Sequence, residues 1–195
     1  NWIGEETLSI IDIERFGLKE LTDDLISLYS KYVIDCAMLT KVKVTLNDEI
    51  MSVKNLSEYS NLYNLVSDEK IQIKMGTCEV VLTPSNTFEA ISFVNGVYTK
   101  LGGQHVETWV ESLLRPLVDK FNGKDKKSKT KSPKLNILDI KQFFRIFVVA
   151  QIDRPEFDSR DKNKLESPEV SSEVKKSHIT AISKWSIIDK IEDII

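Results

Sequence analysis

The sequence IFVVAQIDRPEFDSRDKNKL, residues 146–165, joins an apolar run to a charged loop and indicates how the chain is built. The run IFVVAQI at residues 146–152 is apolar on both faces, as expected of a strand in the centre of a sheet. The loop at residues 154–165 follows the end of that strand, where Arg160, Lys162 and Lys164 could reach an anion. A charged surface loop without a ligand is the alternative.

Short alternating segments before this strand predict further strands with hairpin connections. Strands are expected at residues 6–13, 41–46, 49–53, 70–75, 78–83 and 87–94. Asn47-Asp48 and Gly76-Thr77 are the expected turns, so the strands that they join should be antiparallel. Together with the helices, these strands predict an α+β fold in which a mostly antiparallel sheet is backed by helices.

Apolar residues at helical spacing predict the helices. The first follows the N-cap Thr22 and should bury one apolar face, and the others are expected at residues 55–65, 104–121, 136–143, 174–184 and 186–195. Pro116 lies inside the helix at 104–121, and we expect a kink or break there because an interior proline costs about 3 kcal/mol. The face expected to be buried in the first helix consists of Leu25, Leu28, Tyr29, Tyr32, Val33, Cys36 and Ala37.

A polar stretch, NGKDKKSKTKSPK at residues 122–134, concentrates six lysines and one aspartate and so carries a local charge of +5 in a chain of net charge −3. Such a loop suits salt-dependent contact with a phosphate backbone, without base reading. A solvated, disordered loop is the alternative. The candidate nucleic-acid-binding residues are Lys124, Lys126, Lys127, Lys129 and Lys131.

The stretch SFVNGVYTKLGGQHVE, residues 92–107, places Gly102-Gly103 between a strand and a helix. A glycine turn of this kind can bind an anion at the helix N-terminus, or it can serve only as a structural turn. No GxGxxG and no P-loop sequence occurs in the chain. The sequence therefore contains neither of these two nucleotide-binding motifs.

Composition and cysteine usage exclude several classes of protein. The 195 residues are 41% hydrophobic, enough for a core in one domain. Cys36 and Cys78 lack zinc-ligand spacing, so we expect buried free thiols and no metal site. With no run of about 18 apolar residues and no signal-peptide pattern, neither a membrane span nor a secretory leader is expected.

Three segments, in order, resemble one family. ISFVNGVYTKLGGQHVE resembles a strand ending in FVN, a T-K step and GG-x-H; IFVVAQIDRPEFDSRDKNKLESP resembles a strand followed by P-x-F-D-S-Q-T-K-E-x-L. IDIERFGLKELTDDLISLYSKYVIDCA resembles the helix that enters the same domain. The family is that of the type IIA DNA topoisomerases, and the eukaryotic, viral and large-phage members look closer than bacterial gyrase.

The resemblance implies a transducer domain with a ribosomal-protein-S5-like fold and a left-handed βαβ crossover. Residues 1–173 would form this domain, with a DNA-facing loop at 122–134 and an ATP-sensing loop at 154–165, and residues 174–195 would be exit helices toward the DNA-cleavage core. Lys162 matches the family lysine that reaches the γ-phosphate of ATP. Arg160 and Asp161 stand where the family has Gln and Thr, so the ATP-binding candidates are Lys162 and Arg160.

The implied function is to sense the γ-phosphate and to couple ATP hydrolysis and closure of a homodimer to DNA strand passage. ATP, with Mg²⁺, would be held mainly by an N-terminal ATP-binding domain, and the enzyme would act on DNA inside the cell, in the nucleus or at a viral or phage replication site. We expect this chain to be a fragment that alone neither hydrolyses ATP well nor cuts DNA. The alternatives are the transducer of a MutL- or Hsp90-like ATPase and a stand-alone nucleic-acid-binding module.

Overall fold

The computed structural model describes residues 14–17, 19–40, 42–125 and 134–193. The chain divides into two compact units, the first ending at Ser52 and the second beginning at Val53. The strand predicted at residues 6–13 and Lys41, the first residue of the strand predicted at 41–46, lie outside the described residues. We describe each unit by itself.

Capping and turn residues shape the first unit, whose described part starts with a short 3-10 helix at Glu14–Phe16. Helix α1 spans Asp23–Leu39, and the Thr22 side-chain oxygen accepts a hydrogen bond from the Leu25 amide at 3.3 Å. Strands β1 (Thr45–Leu46) and β2 (Glu49–Ile50) form the predicted hairpin. Asn47 and Asp48 have φ angles of 49° and 65°, the left-handed geometry of a type I′ turn. The strands are shorter than predicted, because pairing ends after two residue pairs.

The predicted buried face of α1 is wrong for several residues. Leu28 is 40% exposed, Tyr32 is 52% exposed, and Cys36 is also exposed. The buried residues of the helix are instead Asp35, Ala37 and Met38, near its C-terminal end. Periodicity identifies residues that share a helix face, but it does not determine whether another element covers that face.

The second unit contains one five-stranded mixed sheet, two short strands and five helices among the described residues. The elements are α2 (Leu56–Ser60), β3 (Ile71–Met75), β4 (Cys78–Pro84), β5 (Glu89–Val94), β6 (Val97–Tyr98), α3 (Gln104–Asp125), α4 (Ile137–Lys141), β7 (Phe144–Ala150), β8 (Glu156–Phe157), β9 (Leu165–Ser167), α5 (Lys176–Ile182) and α6 (Ile187–Glu192).

The five-stranded sheet has the order β3-β4-β7-β5-β6. All neighbouring strands are antiparallel except β5 and β7, which are parallel. This confirms the α+β prediction, while the left-handed sense of the crossover stays a prediction.

Strand β7 is the central strand that its apolar sequence predicts. All of its residues pair with β4, and all but the first pair with β5. The strand ends at Ala150 rather than at residue 152. At Ile152 the side-chain amide of Asn95, and not a neighbouring strand, forms the hydrogen bonds to the backbone. Asn95 Oδ1 accepts from the Ile152 amide, and its Nδ2 donates to the Ile152 carbonyl, both at 2.8 Å. The chain therefore leaves the sheet at a fixed point.

Helix α3 runs through Pro116 without the predicted break and ends at Asp125. Leu113, Leu114, Leu117 and Val118, on both sides of the proline, are each 2% exposed or less. Burial of a large apolar side chain contributes about 1.5–3 kcal/mol, so four of them outweigh the roughly 3 kcal/mol cost of one interior proline. Packing against the core therefore keeps the helix continuous.

The remaining helices are shorter than predicted. Helix α2 ends at Ser60 instead of residue 65, since the amides of Leu62 and Tyr63 bond to carbonyls three residues back, which tightens and terminates the helix. Helices α5 and α6 occur within the predicted ranges 174–184 and 186–195, and Ile182, Trp185 and Ile188 place them in the hydrophobic core of the second unit.

A chain of buried hydrogen-bonding side chains joins β5, the end of β6 and the start of α3. Ser92 Oγ lies 2.6 Å from Thr99 Oγ1, which lies 3.3 Å from His105 Nε2. All three residues are fully buried, and His105 Nδ1 has no hydrogen-bond partner in the described part of the chain. Burial lowers the pKa of His105 from 6.5 to about 4, so the imidazole is neutral at neutral pH.

The turn before α3 contacts the backbone of Leu165 closely. Gly102 and Gly103 have φ angles of 70° and 123°, and the Leu165 amide donates to the Gly102 carbonyl at 3.0 Å. A Cβ added at Gly103 would lie 2.2 Å from the Leu165 carbonyl oxygen and 2.6 Å from its nitrogen. Only glycine permits both the backbone conformation and this approach.

We predict that Gly103→Ala lowers the free energy of unfolding of this chain by at least about 2 kcal/mol, because the methyl group must displace the Leu165 backbone. Urea denaturation measures the change. Gly76→Ala is the matched control, since Gly76 has a φ of 55° but no heavy atom within 4 Å of the added Cβ. It should cost only about 1 kcal/mol. Equal losses in the two variants would contradict the close contact.

His105 should make stability depend on pH. Its folded pKa of about 4 lies below the unfolded value near 6.5, so the unfolded chain binds more protons between these values. The free energy of unfolding should therefore fall as pH is lowered from about 6.5 to about 4, by up to about 3 kcal/mol from this residue. Denaturation of wild type and His105→Gln over this range should show a shallower slope in the variant. His178→Gln is the control. If it reduces the dependence of the unfolding free energy on pH as much as His105→Gln does, that dependence does not come from His105.

Candidate functional site

The predicted loop at residues 154–165 is not irregular throughout, because it contains strand β8 and the first residue of strand β9. Strand β8 pairs antiparallel with β9, with Glu156 opposite Ser167 and Phe157 opposite Leu165. The register shifts between the two pairs, which leaves residues 158–164 as the connecting loop. These strands were not predicted, because two or three residues are too few to show an alternating pattern.

Asp158 closes the connecting loop. Its Oδ1 accepts hydrogen bonds from the Lys164 amide at 3.0 Å and from the Ser159 hydroxyl at 3.3 Å. Its own amide donates to the Lys164 carbonyl at 3.1 Å. Asp158 was not among the site residues predicted from the sequence. A signal for it exists, because an aspartate at the start of a polar loop commonly accepts hydrogen bonds from the backbone amides that follow it.

Lys162 is presented by this closed loop. Its amide donates to the Ser159 carbonyl at 3.1 Å, and its backbone is left-handed with a φ of 56°. The residue is exposed, and its Nζ lies 5.7 Å from the centre of the Phe157 ring. A left-handed lysine costs roughly 1 kcal/mol and persists only where its surroundings impose that conformation. The loop therefore holds Lys162 in a defined, strained turn.

The charges around Lys162 leave its ammonium group available. Within the described ranges, no carboxylate lies within 4.0 Å of Lys162 Nζ. Lys164 is different, since its Nζ lies 3.7 Å from Glu166 Oε1. Arg160 and Asp161 are both exposed and do not pair with each other. Of the two ATP-binding candidates, Lys162 has the more specific geometry, because described hydrogen bonds fix the position of its backbone.

The structure brings together the two candidate segments at residues 92–107 and 154–165. The Leu101 amide donates to the Asn163 carbonyl at 2.8 Å, next to the close contact between Gly103 and Leu165. Of the two interpretations of the glycine turn, this favours the structural one, because the Leu165 backbone occupies the space beside Gly103. Of the two alternatives that the sequence left open, the structural turn therefore agrees with the contact at Gly103.

The candidate DNA-binding lysines are only partly described. Lys124 lies in the last turn of α3, while Lys126, Lys127, Lys129 and Lys131 lie outside the described residues. Lys134, the last residue of the stretch, is again among the described residues and precedes α4. Contact of this segment with DNA stays a prediction.

The cysteines differ from each other, in contrast to the prediction that both are buried. Cys36 is exposed, whereas Cys78 is buried and its Sγ accepts a hydrogen bond from Trp109 Nε1 at 3.1 Å. Burial raises the pKa of the Cys78 thiol to about 11, so it stays protonated. Among the described residues, no three His, Cys, Asp or Glu side chains are grouped to hold a metal ion. In the same part of the chain, no helix combines the length and apolar character needed to cross a membrane.

Comparison with known proteins relates this fold and loop to one family. DNA topoisomerase 2 of Invertebrate iridescent virus 6 is 34% identical over 195 residues, which cover 96% of this chain and 17% of the viral protein. Probable DNA topoisomerase 2 of Dictyostelium discoideum is 34% identical over 164 residues, which cover 80% of this chain and 10% of that protein. This chain therefore spans a small part of the length of these relatives.

A solved structure and a family model agree with these relatives. The ATPase region of Saccharomyces cerevisiae topoisomerase II superposes with a TM-score of 0.78 at 26% identity, covering 94% of this chain and 48% of that one. The DNA gyrase B family model matches residues 35–192, which include the glycine turn and the Lys162 loop. The chain belongs to the type IIA DNA topoisomerase family and is similar to part of its ATPase region.

Proposed function

We propose that this chain is the transducer of an ATP-dependent type II DNA topoisomerase and that Lys162 senses the γ-phosphate of ATP. The observation that carries the proposal is the position of Lys162 on a closed loop after the central strand, with its ammonium group exposed and no described carboxylate within 4.0 Å. A lysine is a suitable point charge for a phosphate. The family assignment makes ATP the phosphate source to be considered first.

The energetics favour a ligand that arrives from a neighbouring domain. An ammonium–phosphate contact at 4 Å contributes about 1 kcal/mol in bulk water and about 4 kcal/mol at an effective dielectric constant of 20. The interaction of the exposed Lys162 with a phosphate is therefore strongest when a second protein surface covers both groups and excludes water. Arg160, exposed on the same loop, would add positive charge, and Asp161 would subtract from it unless it faces away from the phosphate.

Loss of the γ-phosphate after hydrolysis would remove the charged partner of Lys162 and allow its loop to move. The loop is bonded to the turn before α3 through Leu101 and Gly102, so its movement would be passed to that helix. In this proposal residues 1–173 act as the transducer, and residues 174–195 lead toward the DNA-cleavage core. Glu69 accepts hydrogen bonds from the Ser186 amide and hydroxyl at 2.9 and 2.8 Å, just before α6. In this proposal these bonds would determine how far α6 moves with the rest of the domain.

The complete enzyme would act as a homodimer on DNA, coupling ATP hydrolysis to passage of one duplex through another. As the family assignment suggests, ATP and Mg²⁺ would be held mainly by an N-terminal ATP-binding domain, and Lys162 would supply a cation for the terminal phosphate. The basic segment at residues 122–134 would contact DNA. The enzyme would work where DNA is replicated, in a nucleus or at a viral or phage replication site.

Replacing Lys162 by Ala in the complete enzyme should lower DNA-stimulated ATP hydrolysis by about 100-fold, as expected when one fixed charge on the reacting phosphate is lost. A coupled assay of phosphate release at saturating DNA measures this rate. Lys74→Ala is the control, because Lys74 is an exposed lysine on β3 that pairs with Glu79 at 3.3 Å. A rate for Lys162→Ala equal to that of the control would remove Lys162 from the site.

Replacing Lys126, Lys127 and Lys129 together by Ala should weaken binding of this chain to duplex DNA and reduce the salt dependence. The logarithm of the binding constant falls as the logarithm of the salt concentration rises, and each lost phosphate contact makes this negative slope shallower by about 1. The slope of the triple variant should therefore be shallower by about 3. Fluorescence anisotropy over a range of salt concentrations measures the slope. The charge-matched control replaces the exposed Lys74, Lys100 and Lys184. An equal change in both triple variants would show that net charge, and not this segment, determines binding.

A further inference from the structure

The connecting loop suggests a role for a residue that does not itself reach the ligand. We propose that Asp158 is a positioning residue for Lys162, setting the loop conformation in which the ammonium group meets the phosphate. This inference rests on the proposed function of Lys162. It is carried by the two hydrogen bonds that Asp158 Oδ1 accepts, from the Lys164 amide and the Ser159 hydroxyl.

These bonds constrain the residues between them. The bond to the Lys164 amide spans six residues and encloses Lys162, and the Asp158 amide closes the same ring through the Lys164 carbonyl. Oδ1 accepts both a backbone and a hydroxyl donor, a combination that a carboxylate or amide oxygen provides and a methyl group does not. The ring fixes both ends of the turn in which Lys162 is left-handed.

Burial does not provide this constraint. Asp158, Ser159, Arg160, Asp161 and Lys162 are all exposed, and the first fully buried residue after them is Leu165. Fixing the backbone costs conformational entropy at every residue, so an exposed loop stays in one conformation only if specific bonds hold it. The Phe157 ring, 5.7 Å from Lys162 Nζ, limits where the side chain can go once the turn is set.

Without Asp158 the loop would populate other conformations, and only a fraction of molecules would present Lys162 correctly. The apparent affinity of the competent state falls in proportion to that fraction. We expect Asp158→Ala to raise the apparent dissociation constant of a non-hydrolysable ATP analogue, and to lower kcat/KM for ATP, by about tenfold. Because Asp158 is exposed, its truncation leaves no cavity, and the melting temperature should change little.

The test is a double-mutant cycle in the complete enzyme, with Asp158→Ala, Lys162→Ala and the double variant. Analogue binding is measured by calorimetry and kcat/KM by phosphate release, so that a variant without turnover still gives a result. If Asp158 acts through Lys162, the double variant is no weaker than Lys162→Ala alone. If Asp158→Ala costs the same in both backgrounds, or costs nothing in the wild type, the positioning role is overturned.

Conservative variants separate geometry from charge. Asp158→Asn keeps an oxygen acceptor at the same place and should retain most of the wild-type affinity, whereas Asp158→Glu keeps the charge, misplaces the acceptor and should behave like Asp158→Ala. The opposite ranking would overturn the proposal in favour of a charge effect.

Asp153→Ala is the matched control, since Asp153 is 96% exposed and its contact with Arg154 is 4.0 Å long. If Lys162→Ala itself binds the analogue normally, the proposed function fails, whatever Asp158 does.

Discussion

The contact between Gly103 and the backbone of Leu165 is the constraint on which the candidate site depends. A single added methyl carbon would lie 2.2 Å from the Leu165 carbonyl oxygen, so the chain can take this path only with glycine at that position. The contact joins the start of β9, directly after the Lys162 loop, to the turn before α3. Because α3 is packed along the core through Leu113, Leu114 and Leu117, the loop is attached to a rigid element rather than to another surface loop.

The other end of the loop is fixed by the sheet. Strand β7 is paired on both sides, and the Asn95 side chain binds Ile152 just after the strand ends. Between these two attachments, the bonds of Asp158, Ser159 and Lys162 stay within the loop, while the Asn163 carbonyl accepts from the distant Leu101 amide. This arrangement would serve the proposed sensing of a phosphate, because a charged tip could respond to the ligand while its attached ends transmit the response. It also makes the conformation of the tip depend on few interactions, of which those of Asp158 are the most direct.

Several sequence predictions were wrong for the same physical reason. Periodicity assigned Leu28, Tyr32 and Cys36 to a buried face of α1, yet they are exposed. Of the kink or break expected at Pro116, the break does not occur, because α3 is continuous. Local patterns report which residues can share a face or interrupt a helix. They do not report the several kilocalories per mole that packing against distant residues adds or withholds.

The amino-acid sequence by itself determined the α+β class, the central strand, the hairpin at Asn47-Asp48 and the family, because these follow from local alternation, turn residues and motif order. It also led to Lys162, which matches the family lysine, and to Arg160, which stands in the same motif where the family has Gln. Asp158 closes the loop through bonds to residues at most six positions away, so a local signal for it exists in the sequence. Tertiary structure alone decided that the glycine turn packs against the segment that carries Lys162. That fact depends on contacts between segments some 60 residues apart and on one close backbone approach, which no local pattern encodes.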